Sequence, residues 1–146
     1  MRDDIFNSII TLLKTCTKLQ GENGTIRVYD FPQLNPDGYP YAVVGSESLE
    51  SIVLDNARDS RRYNYVIQIV GEKFGDQAGL TQSEALATMR KIEDSVLAIF
   101  DLKNGLGNSS VVRTFPTRDT FALSEDRTHV ILTINLVVDT MVQISY

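Results

Sequence analysis

The residues that could do covalent chemistry in this sequence are few, because it contains one histidine, His129, and one cysteine, Cys16. Nucleophilic catalysis needs a nucleophile, a base and a third group that orients the base. A Cys–His pair is formally possible. However, Cys16 lies on the apolar stripe of a predicted helix, where a buried cysteine usually packs without reacting. We therefore interpret both residues as structural.

Metal, carboxylate and phosphate sites have no better support. No His, Cys, Asp or Glu grouping has the spacing of metal ligands. Glu93 and Asp94 are adjacent on a predicted helix and so face different directions. The glycine-rich stretch 105–110 lacks the lysine and the strand–loop–helix order of a phosphate-binding loop. The sequence thus predicts no enzyme and no cofactor or metal.

One basic cluster stands out in an acidic chain. Arg58, Arg61 and Arg62 lie close together in a protein with a formal net charge of -5. Local ion pairs on a solvated strand would explain them, since surface pairs are common and weak. A contact patch for an acidic partner surface is the sharper interpretation. Both interpretations stay open at this point.

Length and composition predict one globular domain that spans residues 1–146, with 42% hydrophobic and 23% charged residues. The negative charge argues against non-specific nucleic-acid binding, which needs a basic surface. The N-terminus lacks the basic start of a signal peptide, and no apolar run approaches the ~20 residues of a membrane span. We therefore expect a protein made in a reducing cytoplasm, without a membrane partner.

The spacing of apolar residues predicts the element order α-β-β-β-α-β-β. Thr81 and Glu84 form a capping box at the start of the second helix, and Pro116 indicates an edge strand or a bulge. Residues 47–60 read as a strand end and a polar loop. The fold class is α+β: a mainly antiparallel sheet with two helices packed on one face and a long C-terminal β-hairpin. The predicted helices cover residues 3–19 and 81–100, and the predicted strands cover 25–31, 41–46, 61–73, 111–123 and 129–146.

The last strand, VILTINLVVDTMVQISY, alternates apolar and mixed positions over its whole length. Unbroken, it would be ~56 Å long at ~3.3 Å per residue, whereas a compact chain of this size is only ~38 Å across. In one interpretation its end projects from the subunit, and a neighbouring subunit buries Val142, Ile144 and Tyr146. In the other, it bends at a bulge near Val138 and Asp139 and stays within the domain.

Several phrases along the chain resemble the tail terminator, or tail-completion, proteins of long-tailed non-contractile bacteriophages, the family of the lambda tail terminator. These are an amphipathic first helix, GYPYAVVGSES at 38–48, DNARDSRRYNYVIQIV at 55–70, the capped helix at 81–100 and the two final strands. The resemblance is one of pattern and covers nearly the whole chain.

The resemblance implies a homohexameric ring on the head-proximal end of the tail tube, in the virion neck. Such a ring stops further addition of tube subunits and presents a docking surface to the head connector. The implied partners are other copies of the chain, the tail tube protein and a head-closure or connector protein, all assembled in the host cytoplasm. No sequence-specific nucleic-acid binding is implied, although the ring lumen could pass DNA.

Candidate partner contacts come from three segments: the basic cluster, the loop at 102–110 and the end of the last strand. Two other functions remain open at this point: a different neck protein, such as a head-closure or connector-adaptor protein, and a soluble ligand-binding or enzymatic α+β domain. The candidate contact residues are Arg58, Arg61, Arg62, Lys103, Asn104, Val142, Ile144 and Tyr146.

Overall fold

The computed structural model describes residues 2–20, 27–30, 38–53, 58–75 and 79–143. Within these residues five strands form one sheet in the order β1-β2-β3-β5-β4, and the two helices contribute to one apolar core on one side of it. The predicted α+β class and element order are confirmed. The elements are α1 (Arg2–Lys14), a 3-10 helix (Thr17–Leu19), β1 (Val28–Tyr29), β2 (Tyr41–Val53), β3 (Arg58–Lys73), α2 (Gln82–Leu102), β4 (Val111–Leu123) and β5 (His129–Gln143).

The sheet is antiparallel except at its margin, where the two residues of β1 pair in parallel with β2. The long strands β3 and β5 lie at its centre. Residues directly opposite each other on paired strands point to the same face. The pairing of Ile69 with Leu132, and of Ile67 with Ile134, therefore sets which residues meet the helices.

The core contains the alternate residues of the central strands and the apolar stripes of both helices. Phe6 of α1 stacks on Tyr65 of β3 with ring centroids 6.3 Å apart. The start of α2 has the predicted capping box, in which the Glu84 N–H donates to Thr81 Oγ1 at 3.2 Å. The fully buried side chains with the largest volumes include Tyr65, Phe100, Ile5, Ile9, Leu13, Ile67, Ile69, Met89, Leu132, Ile134 and Leu136.

The first helix is shorter than predicted. The α-helix ends at Lys14, and the 3-10 helix continues the apolar stripe to Leu19. The hydroxyl of Thr15 donates to the Leu12 carbonyl at 2.6 Å, a local bond that competes with continued α-helical pairing.

The hairpin formed by β2 and β3 is longer than predicted. Residues 47–60 were expected to hold a strand end and a polar loop. Instead β2 runs to Val53 and β3 begins at Arg58, with Cα pairs as far as Val53 and Asp59. Strands near a sheet margin tolerate charged residues, so the charge of this segment was a poor indicator of a loop.

The last strand, β5, continues in register with β3 from Ile131 to Gln143. The predicted alternative of a bulge near Val138 and Asp139 is wrong for β5, because the extra residue at this level lies in β4. The core face of β5 is buried in its own subunit as far as Thr140. The projecting end was predicted for Val142, Ile144 and Tyr146, whose side chains lie outside the described part of the chain, and it stays a prediction. Residues 144–146 lie outside the described residues.

The prediction for Pro116 is confirmed on both counts. β4 is the outermost strand of the sheet, and its register with β5 shifts between Pro116 and Arg118. A second shift lies between Val111 and Arg113.

Candidate functional site: the open face and the arginine cleft

The face of the sheet that points away from the core is called the open face here. No helix of the described residues contributes to a core on this side. Its side chains include the half-buried Val66, Val70 and Ile131. Val137 is buried but does not belong to the core cluster. Because no described helix covers these apolar side chains, the open face is the first candidate for an interface.

At one end of the open face, two arginines from different strands share one carboxylate. Arg62 of β3 donates from Nε to Asp139 Oδ1 at 2.8 Å and from a terminal nitrogen to Oδ2 at 3.1 Å. Arg113 of β4 donates from Nε to Oδ2 of the same Asp139 at 2.9 Å. The Asp139 side chain is only 16% exposed, so these bonds form in a partly desolvated setting where they are stronger than on an open surface.

The extra residue in β4 is what brings Arg113 to Asp139. Val111 pairs with Thr140, and an unshifted register would place Val112 opposite Asp139. The bulge moves Arg113 into that position instead, which is a common use of a β-bulge.

An aromatic ring supports both guanidinium groups. The Arg113 guanidinium carbon lies 4.9 Å from the ring centroid of Phe115, and that of Arg62 lies 5.9 Å away. Cation–π contact at this range favours a fixed guanidinium position. Arg113 is therefore held by the hydrogen bond from its Nε to Asp139 and by the contact of its guanidinium group with the Phe115 ring.

The two arginines also change the acidity of Asp139. The hydrogen bond from Arg62 is the largest cause that lowers the pKa of Asp139, and Arg113 lowers it further. Burial of the carboxyl opposes them but does not outweigh them. Asp139 is thus an anion in the folded protein over the physiological range.

These residues line a cleft of about 430 Å³, called the arginine cleft here. Among the described residues the two Nη groups of Arg113 have no hydrogen-bond partner, and its side chain is 58% exposed. Beside it, Val112 is 58% and Met141 40% exposed. The cleft therefore offers guanidinium donors next to an apolar wall. Its lining residues are Ser60, Arg62, Val112, Arg113, Asp139, Thr140 and Met141.

The structure divides the predicted basic cluster between two faces. Arg62 pairs with Asp139 on the open face, whereas Arg61 pairs with the buried Thr140 and so lies on the helix side. The Arg61 carbonyl accepts a hydrogen bond from Thr140 Oγ1 at 3.1 Å. Arg58 is the first residue of β3, paired with Gln143. Of the three, Arg62 is the one that lines the arginine cleft.

The other predicted contact residues lie near the same end of the subunit. Lys103 is exposed at the C-cap of α2, where its N–H donates to the Ile99 carbonyl at 3.0 Å, and Asn104 is exposed beside it. Val142 lies in β5, paired with Asp59. Ile144 and Tyr146 lie outside the described residues.

The single histidine and cysteine have structural surroundings. His129 Nδ1 lies 2.8 Å from the Gly71 carbonyl, and its ring stacks on Tyr39 with centroids 4.4 Å apart. Cys16 is buried in the core with Leu13 and Leu19. In the part of the chain that the structure describes, no three His, Cys, Asp or Glu side chains group as metal ligands would. None of the described helices is long and apolar enough to cross a membrane.

Two acidic side chains, Glu93 of α2 and Asp119 of β4, lie close together where α2 meets the edge strand. Burial is the largest cause that raises the pKa of Glu93, to about 7, followed by its hydrogen bond with Asp119 and by the charges of Asp119 and Asp94. The Glu93 carboxyl is therefore partly protonated near neutral pH, when it can donate to Asp119.

Sequence reasoning missed Arg113, Phe115 and Asp139. One signal was available, because Asp139 is a charged residue in an otherwise apolar strand, flanked by Val138 and Thr140. Nothing in the sequence gave its partners, since the pairing of Arg113 with Asp139 depends on the bulge in β4.

Comparison with known proteins finds a shared fold. No protein family matches the chain, and no curated protein does. Among solved structures, a chain of the virion of a native gene transfer agent particle is similar, with a TM-score of 0.51 and 17% sequence identity. The match covers 95% of this chain and 91% of that chain. At this identity the likeness establishes a shared fold.

Proposed function

We propose that this protein is a structural subunit of a phage-like virion, which works by self-association and docking and not by catalysis. The observation that carries the proposal is the fold shared with a gene transfer agent virion chain over nearly the full length of both chains. The open face agrees with it, because half-buried Val66, Val70 and Ile131 gain from being covered by another subunit.

The finer role that we propose is that of a tail terminator. In this role the chain forms a homohexameric ring at the head-proximal end of the tail tube, stops tube growth and docks the head connector. The sequence resemblance supports it through the first helix, the arginine-led strand β3 and the final hairpin. Its partners would be other copies of the chain, the tail tube protein and the head-closure or connector protein.

A ring imposes a condition that this subunit meets. Identical subunits in a closed ring contact each other through two unlike surfaces, one on each side. The sheet has such sides, since one face is covered by α1 and α2 and the other is the open face. The arginine cleft adds charge to the open face, which helps fix the register of two subunits.

The experiment is to measure the mass of the purified protein in solution and to image it by negative stain with the tail tube protein. We expect hexameric rings alone and capped tubes in the mixture. A chain that stays monomeric at all concentrations and never caps a tube would overturn the proposal.

A different neck protein, a head-closure or connector-adaptor protein, is the second candidate. The observation that favours it is the same fold likeness, because the similar chain is identified by its virion and not by a position within it. Symmetry separates the two. A hexamer on the tail side supports the terminator, whereas a dodecamer bound to the portal supports the adaptor.

A further inference from the structure

The last two residues of α2, Asp101 and Leu102, are unfavourable choices for an isolated subunit. A carboxylate in the last turn faces the negative end of the helix dipole. The last turn of α2 holds no basic residue, and the exposed Lys103 lies just beyond it at the C-cap. Asp101 is exposed and has no hydrogen bond or ion pair among the described residues. Leu102 is 82% exposed, more than any other large hydrophobic side chain described. Local choices that cost stability are expected at functional sites.

The arginine cleft has the complementary chemistry. Arg113 is fixed by Asp139 and Phe115, and its two Nη groups form an unused pair of donors that matches one carboxylate. Next to it, Val112 and Met141 present exposed apolar surface of the kind that would cover a leucine.

The two features lie at the same end of the subunit but on opposite sides of the sheet. Near its start α2 lies against Val130, where Gln82 and Leu86 share a cavity lining with it. The helix then runs toward the other end, where β4 begins with Val111 opposite Thr140. Nearer its end, Leu97 shares a cavity lining with Ile134, and eight residues join Leu102 to Val111. The end of α2 therefore lies toward the end of the sheet that holds the arginine cleft, on the helix side. In a ring whose subunits contact through two unlike surfaces, such features can meet.

We propose that the C-terminal end of α2 of one copy occupies the arginine cleft of the next copy. The Asp101 carboxylate accepts hydrogen bonds from the Nη groups of Arg113, and Leu102 packs between Val112 and Met141. This inference rests on the proposed self-association and names the surfaces that form it. A phosphate of DNA is the competing occupant, and the net charge of -5 disfavours it.

The test is a double-mutant cycle across the two surfaces. Arg113→Ala and Asp101→Ala each remove one partner of the pair and should each weaken association about tenfold. The double variant should associate no more weakly than the weaker of the two single variants, because either change alone already removes the pair. Sedimentation or mass photometry over a dilution series measures the association, and circular dichroism checks that each variant is folded.

Matched controls remove the same kinds of charge elsewhere. Arg127→Asn removes an exposed arginine from the turn between β4 and β5, at the other end of the sheet, and Asn tolerates the positive φ of 59° there. Asp94→Ala removes an exposed carboxylate about 10 Å earlier on α2. Both should associate as the unchanged protein does. Leu102→Ala should weaken association without lowering the unfolding temperature, since the side chain has little cover in the subunit.

The outcomes separate this inference from the proposed function. If the unchanged protein does not associate, both fail. If it associates and neither substitution matters, or the two losses add in the double variant, the α2 contact is wrong and self-association stands. If the substitutions leave the ring intact while Arg113→Ala loses binding to a short DNA duplex, the cleft is a phosphate site and the inference is overturned.

Discussion

The two faces of this sheet are built from the same strands, yet they are covered differently. On β5 the residues that point to the helices are almost fully buried from Val130 to Thr140. Their neighbours Ile131 and Thr133 are half-buried, and Met141 is 40% exposed. The core face thus stabilises the subunit by itself. The open face keeps apolar and charged groups available for contact with another molecule. The comparison teaches that stability and assembly can be changed separately in this molecule.

The largest expected effect tests that separation on two adjacent residues. Leu132→Ala removes a fully buried side chain from the core face and should lower the free energy of unfolding by about 2–5 kcal/mol. Thr133→Ala, on the open face, should change it by less than about 0.5–1 kcal/mol. Urea titration of both variants measures the difference. Equal losses would mean that the open face is a second core.

A smaller effect is expected at Asp139, the carboxylate that two arginines share on the open face. Asp139→Ala leaves Arg62 and Arg113 without their shared acceptor and should cost about 1–3 kcal/mol of unfolding free energy. Denaturant titration at neutral pH measures it. Met141→Ala, which changes an exposed neighbour, is the control and should cost less.

The same carboxylate predicts the direction of an acid effect. Because its folded pKa is lowered below the ordinary 3.8, Asp139 stabilises the fold fully above pH 3.8. This contribution is lost as the pH falls through the folded pKa. The difference in stability between the unchanged protein and Asp139→Ala should therefore shrink in acid. A constant difference down to pH 2 would contradict the assignment.

The fourth prediction concerns the helix that covers the core face. Thr81→Ala removes the hydroxyl that caps α2 and should cost about 1 kcal/mol. Thr81→Ser keeps the hydroxyl and is the matched control. Thermal unfolding measures both, and we expect neither to alter association, because Thr81 is at the opposite end of α2 from Leu102.

The smallest effect is a pH dependence of stability that comes from Glu93, where α2 meets β4. The folded pKa of Glu93 is raised to about 7 from 4.5, so folding binds a proton there and this site loses stability as the pH rises from about 4.5 to about 7. Glu93→Gln removes that titration and should flatten the profile over this range. An unchanged profile would show that the Glu93–Asp119 contact has no thermodynamic weight.

Sequence patterns predicted the parts of the fold that local spacing determines. Alternation gave β5, and the threonine–glutamate spacing gave the start of α2 at Thr81. The arginine cleft was out of reach because it depends on pairing between residues far apart in the chain. Arg62 and Asp139 are separated by 77 positions, and a bulge in β4 decides that Arg113 joins them. Within the basic cluster, the adjacent residues Arg61 and Arg62 point to opposite faces, as alternation along the predicted strand 61–73 implies, so they do not form one contact patch.

The interruptions in β4 have a consequence for how large an assembly of this chain can become. Pro116 has no N–H to offer, and two register shifts break the regular spacing of the strand along the outer edge of the sheet. Such an edge is a poor template for the strand of another molecule, so it disfavours edge-to-edge stacking into fibrils, which have no built-in limit of length. Growth through the faces of the sheet can instead close on itself after a fixed number of copies. The irregular edge thus favours particles of defined size.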